Sequence, residues 1–273
     1  MKFFVFSFLL LLTIQFSFAQ VSTTPSVTTT ATSPSLPWTA TVKSELSSTI
    51  ENAKKVGGGS TENQFRIAYK FSEAAQLGLL FGGKYKFVGQ AQNQSDQEMV
   101  ASDTAIAGIL VAPSLLGSDK TIIDGRFYLP TSKDSIKLKQ NLLARVDMIL
   151  PYSLTGQKNL TFWVSPRFAD FEFNSSKFDI LSQVKLAQGS KIAPYIALNH
   201  KVKMGYKTGL NRTEEYMGPE VGIEALPHKL VKLGIYVNQE RNILNPSAKN
   251  APSDYSAFNS TESKYFVFGQ IKL

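Results

Sequence analysis

The 273-residue chain has no cysteine and two histidines, so disulfide frameworks and thiolate metal sites are excluded. Its 43% hydrophobic content and mean hydropathy of -0.08 are those of a water-exposed protein, and no stretch after residue 19 offers the roughly 20 apolar residues of a membrane helix. Strands of about ten alternating residues escape such averages, so a transmembrane barrel stays open. The net charge of +8 and pI of about 9.4 come without a basic cluster interleaved with aromatics, which argues against nucleic acid.

Met1 and Lys2 precede the apolar run "FFVFSFLLLLTIQFSFA", and small Ser17 and Ala19 fit a signal-peptidase site. Residues 1–19 are expected to be a signal peptide, and the absence of cysteine closes the lipoprotein route. Residues 20–36 are rich in Ser, Thr and Pro and read as a flexible leader. The folded domain is expected over 37–273.

From Pro37 to Leu46, Trp38, Ala40 and Val42 can share a face, predicting a first strand followed by "STIENAKKVGGGST" as an outward loop. Ser44 to Lys55 has the competing spacing of a helix, which would leave ten strands. After Glu62, period-two alternation dominates. Phe65, Ile67, Tyr69 and Phe71 share one face, followed by Leu77, Leu79, Phe81, Tyr85 and Phe87. Next, "AIAGILVAPSLLG" from Ala105 to Gly117 is apolar but too short for a membrane helix, and it is interrupted by Pro113. Alternation resumes with Ile123, Phe127 and Leu129, then with Leu142, Val146, Met148 and Leu150. It continues through Leu160, Phe162, Val164 and Phe168, through Phe178, Ile180, Val184 and Leu186, and through Ile192, Ile196 and Leu198. The last groups are Met217, Val221 and Ile223, then Val231, Leu233, Ile235 and Val237.

The opposite faces carry mid-strand charge: Arg66, Lys70, Lys84, Lys86, Arg126, Arg145, Asp147, Arg167, Lys185, Glu220, Glu224 and Lys232. Such a face must be wet or internally paired, as a barrel lumen is. Connections alternate in length. "SEAAQ", "SLLGSDK", "SLTGQ", "AQGS" and "LPH" are short, whereas Gly89 to Asp103, Lys201 to Glu214 and Glu240 to Ser263 read as long. Phe71, Phe87, Tyr152, Phe168, Tyr216 and Tyr265 fall at strand ends, as interfacial girdles do. Pro166, Pro194 and Pro219 each remove a ladder donor and require bulges or strand ends.

In the final segment "KYFVFGQIKL", Tyr265, Val267, Gly269, Ile271 and Leu273 occupy alternate positions. This resembles the C-terminal strand of bacterial outer-membrane β-barrels, with Leu where Phe is usual, and the resemblance covers the chain after the leader. It implies an all-β, antiparallel up-and-down transmembrane barrel of about twelve strands, closed by pairing of the last strand with the first. It also implies an outer-membrane location, contact with lipid and lipopolysaccharide, and insertion by the barrel-assembly machinery. No motif picks out a subfamily.

Three functions compete on this architecture. The excess of inward Arg and Lys favours a narrow diffusion channel for small anionic solutes; the same charges, paired with one another, would fill a structural barrel that acts through its outward loops. A lipid-facing hydrolase needs a nucleophile beside His200 or His228, and no nucleophile motif accompanies either, so no catalytic residue, metal or cofactor is expected. A soluble secreted β-sandwich that binds a ligand is the alternative outside the membrane.

Overall fold

Alternating side chains favour strands because successive Cβ atoms point to opposite faces of a sheet. The computed structural model describes residues 37–49, 59–87, 99–172, 175–207, 210–242 and 263–273; the expected signal and leader lie outside these, as do residues 50–58 of the expected first outward loop, whose ends Ser48–Thr49 and Gly59–Thr61 belong to strands. The strand segments are β1 (Trp38–Thr49), β2 (Gly59–Lys70), β3 (Ala75–Phe87), β4 (Met99–Ala101), β5 (Ala105–Ala112) and β6 (Thr121–Tyr128). After a single helical turn, α1 (Lys133–Lys137), come β7 (Gln140–Leu154), β8 (Lys158–Phe171), β9 (Ser175–Gln188) and β10 (Ile192–Lys207). The series ends with β11 (Leu210–His228), β12 (Val231–Asn238), β13 (Arg241–Asn242) and β14 (Lys264–Lys272).

These segments form twelve antiparallel staves, because β4 and β5 lie on one stave against β3 and β12 and β13 on another against β11. Each stave pairs with its sequence neighbours, and β14 closes the ring by pairing with β1, from Thr41 opposite Lys272 to Thr49 opposite Lys264. Leu273 N–H donates to Ala40 O at 2.7 Å and Ala40 N–H to Leu273 O at 3.1 Å. Closure satisfies every edge, which a membrane requires of strands. It also rules out the β-sandwich, and Ser44 to Thr49 lie in β1 rather than in a helix.

Closure also sorts the two faces. Arg66 on β2 meets Asp124 on β6, a contact between staves three apart that only the concave side permits. The other parity is apolar and exposed: Trp38 is 58% accessible, Ile196 60% and Ile235 52%. Phe65, Leu79, Leu110, Phe127, Phe162, Val184, Leu198 and Val221 continue this belt around the barrel. So much exposed apolar surface is untenable in water and suited to lipid. A strand of 12 residues such as β2 is about 40 Å long and, tilted by about 40°, rises about 30 Å, a bilayer's hydrocarbon thickness.

The apolar run at Ala105, between the connections expected at Gly89 to Asp103 and "SLLGSDK", is a strand, β5, whose inward residues Ala105 and Ala107 are fully buried; alternation is weak there because both faces are apolar. Two expectations change. The connection expected from Lys201 to Glu214 is a tight hairpin, since β10 runs to Lys207 and β11 starts at Leu210 with those residues paired. Tyr216 points inward, its hydroxyl donating to Glu214 at 2.9 Å and its ring lying 4.7 Å from Lys203 Nζ, so it is not part of a girdle. Trp38, Tyr69 and Phe71 do form an edge-to-face chain on the rim that carries the termini.

The prolines sit where the ladder is interrupted. Pairing between β7 and β8 skips Val146 and Asp147, which face Pro166 and Ser165 by register, and Pro194 precedes the start of β9 pairing at Tyr195. Near Pro219, β12 breaks before β13, and Gln239 N–H donates to Pro219 O at 3.2 Å. A Cβ on Gly218 would lie 1.5 Å from Gln239 O, so this bulge requires glycine.

Candidate functional site

The inward face of β6, β7 and β8 brings basic residues together by register alone. Arg126 lies opposite Arg145, and Arg145 opposite Arg167. Like charges directly opposite are unfavourable unless carboxylates separate them. Two do. Asp124 accepts from Arg66 Nη1 at 2.9 Å and from Arg126 Nη2 at 2.8 Å, and Asp147 accepts from Arg145 Nε at 2.8 Å with Arg126 at 3.5 Å. The side chains of this network are 4% to 20% exposed, so loss of a member leaves an uncompensated charge.

Arg66 reaches its partner as a chord. Three strand spacings amount to about 14 Å along the wall, and the intervening inward positions are Leu80, Gly78, Ala105 and Ala107. Glycine and alanine at three of these positions let the guanidinium cross to Asp124, and Leu80, Ala105 and Ala107 are buried there.

A second cluster lies on β9 to β12. Glu224 is shared by Lys185 at 2.6 Å and Lys232 at 3.0 Å. Glu220, buried, accepts from Tyr195 Oη at 2.9 Å and Asn199 Nδ2 at 3.0 Å, with Gln183 and Asn238 farther off. This carboxylate is therefore held by neutral donors. Beside it Tyr236 stacks on Phe266 at 4.5 Å, and Lys43 and Lys232 lie over the Phe268 ring.

Of the remaining expected lumen residues, Lys70 turns to the rim and pairs with Glu73 at 3.5 Å. Lys84 sits in register with Glu62. Lys86 lies on β3 opposite Ser60, and its side chain is outside the described residues. Arg167 is brought beside Arg145 and Asp179 without an ion pair to either carboxylate-bearing strand. In the closing strand, Tyr265, Val267, Gly269, Ile271 and Leu273 hold the parity of the outer face.

The sequence reading did not single out Asp124, Ser165, Trp163 or Asp179 as site residues. Parity was the available signal, since Trp163 and Ser165 share the face of Arg167. His200 lies on the outer face, bonded through Nε2 to Glu215 at 2.7 Å and paired across the ladder with Ser182. Among the described residues no hydrogen bond joins Ser182 to His200, and His228 Nδ1 accepts from the backbone N–H of Leu230 at 3.3 Å. No cluster of three metal-ligating side chains occurs among the described residues.

A closed ring of twelve antiparallel staves with an apolar belt outside and a charged lumen inside is the fold of porin-like barrels of the bacterial outer membrane. No protein-family model and no curated protein matches the sequence. Among solved structures, an outer membrane channel from Pseudomonas putida F1 shares the fold with a TM-score of 0.57, at 10% identity, over 88% of this chain and 97% of that one. The KdgM porin (TM-score 0.44, 10% identity, 85% of this chain and 98% of that one) and LpxR from Salmonella typhimurium (0.42, 9%, 85% and 99%) are looser likenesses.

Proposed function

We propose that this barrel is a narrow, non-enzymatic diffusion channel of the outer membrane that prefers small anions. One observation carries the reading: Arg66, Arg126, Arg145 and Arg167 share one wall with Asp124, Asp147 and, opposite Arg167, Asp179, four cations against three anions and a net +1. Low-dielectric walls focus such a field into the lumen and raise the local concentration of anions. Lys84, Lys185 and Lys232 belong to the same lining, with Glu220 and Glu224 set against them. Eight-stranded barrels are filled by side chains and sixteen-stranded ones hold aqueous channels; twelve staves suit small solutes.

The same reading gives residues 1–19 to a signal peptide and 20–36 to a leader. It gives the outward Tyr265 to Leu273 face to recognition by the barrel-assembly machinery, and the outer surface to lipopolysaccharide. The test is a planar bilayer across which KCl forms a gradient. A reversal potential of the sign set by chloride supports the channel and its preference. A folded protein that shifts on a gel with heating yet conducts nothing would mean a filled barrel working through its loops.

A further inference from the structure

Resting on the channel reading, we propose that Arg145, Arg167 and Ser165, with Trp163 beside them, form a carboxylate-binding station selecting solutes whose carboxylate is borne on a flat ring. Arg145 is anchored by Asp147 through Nε. Its neighbour Arg167 has no ion pair among the described residues, although Asp179 lies opposite it on β9. Arg167 Nε and Ser165 Oγ are both buried without a hydrogen-bond partner. An unmade hydrogen bond of a buried charged group is unfavourable, and an anion in the lumen can accept it.

Geometry selects the anion. Directly opposite residues have Cβ atoms about 5 Å apart, so the two guanidinium forks open side by side, and a planar fork matches the two oxygens of a carboxylate. Ser165, fully buried on the same strand one inward position from Arg167, backs the station from within the wall. The next inward position is Trp163, half-buried, its ring lying 5.8 Å below the Arg145 guanidinium. A carboxylate held by the arginines therefore places its own body beside the indole, and a flat ring gains stacking contact there that a methyl group cannot.

The chain has two tryptophans, so Trp38→Phe leaves Trp163 as the sole indole emitter. In detergent micelles, benzoate is expected to change Trp163 emission saturably, with an affinity about three- to tenfold above that of acetate. Benzyl alcohol, which lacks the charge, is expected to give no saturable change. Arg167→Gln removes the benzoate response, and Arg167→Lys, which keeps the charge but loses the fork, weakens it. Equal responses to benzoate and acetate, or an unchanged response in both Arg167 variants, would overturn the station. An anion-selective pore without saturable benzoate binding sinks this inference and leaves the channel standing; saturable benzoate binding in a silent barrel sinks the channel and leaves the station.

Discussion

Replacing Asp124 by Asn keeps the side-chain volume and removes the charge on which two guanidiniums converge. Both Arg66 and Arg126 use the same oxygen, Oδ2, and the three side chains are 10% to 17% exposed. Removing one partner from a buried pair typically destabilises by about 3–5 kcal/mol. An effective dielectric of about 20 gives about 4 kcal/mol for unit charges at 4 Å, and the carboxylate's own desolvation is recovered on removal. We expect a loss of about 3 kcal/mol, near the lower bound because the lumen is wet. Adding Arg66→Gln removes one of the stranded charges, so the double variant is expected to regain about half of that loss as positive coupling. Urea titration of the protein in lipid vesicles, followed by tryptophan fluorescence, measures both values. A loss of about 0.5 kcal/mol or less would place the pair with solvent-screened surface bridges and refute the chord as a stabilising strap. The same substitution raises the wall from +1 to +2, so anion preference in the bilayer must increase; a decrease would contradict the assigned sign of the lumen field.

Gly218→Val places side-chain atoms where the Gln239 carbonyl lies 1.5 Å from a built Cβ, and a loss of about 3 kcal/mol or outright misfolding is expected on the same urea assay. Wild-type stability would show that the β12–β13 bulge can move aside. Deleting residues 271–273 removes the reciprocal Leu273–Ala40 bonds and the pairing of Ile271 with Val42 and Val231, so the heat-modifiable band is expected to disappear or fall sharply. If it persists, closure does not depend on the end of β14. Purified protein in phospholipid micelles is expected to release no fatty acid; release abolished by Ser182→Ala would instead establish a hydrolase at Ser182, His200 and Glu215 on the outer face.

The lumen is chemically uneven. On β6 to β8 it is lined by guanidiniums held in place by two aspartates, whereas on β9 to β12 a buried glutamate rests on tyrosine and amide donors beside stacked aromatics. An uneven lining fixes where along the wall a charged solute rests, and neighbouring hydrogen bonds keep those groups from collapsing onto one another.

How much of this was legible in sequence follows from the range of each interaction. Alternation is a property of one strand, so the outward parity of Phe65, Val184 or Ile235 and the inward parity of Arg66, Arg145 and Lys185 could be read residue by residue. Trp38, Ala40 and Val42 likewise marked β1, and the alternate positions from Tyr265 to Leu273 marked the closing strand. Register and curvature are not local. That Arg126, Arg145 and Arg167 stand side by side depends on the pairing of three staves, and that Arg66 meets Asp124 depends on the wall bending enough for a chord to span it. At Ala105 the alternation itself fades for the same reason: the inner face of β5 is covered by residues brought from other staves, so small apolar side chains serve there, and the strand is marked by the connections on either side of it. The primary sequence determines which way each side chain points; only the closed barrel decides what it meets.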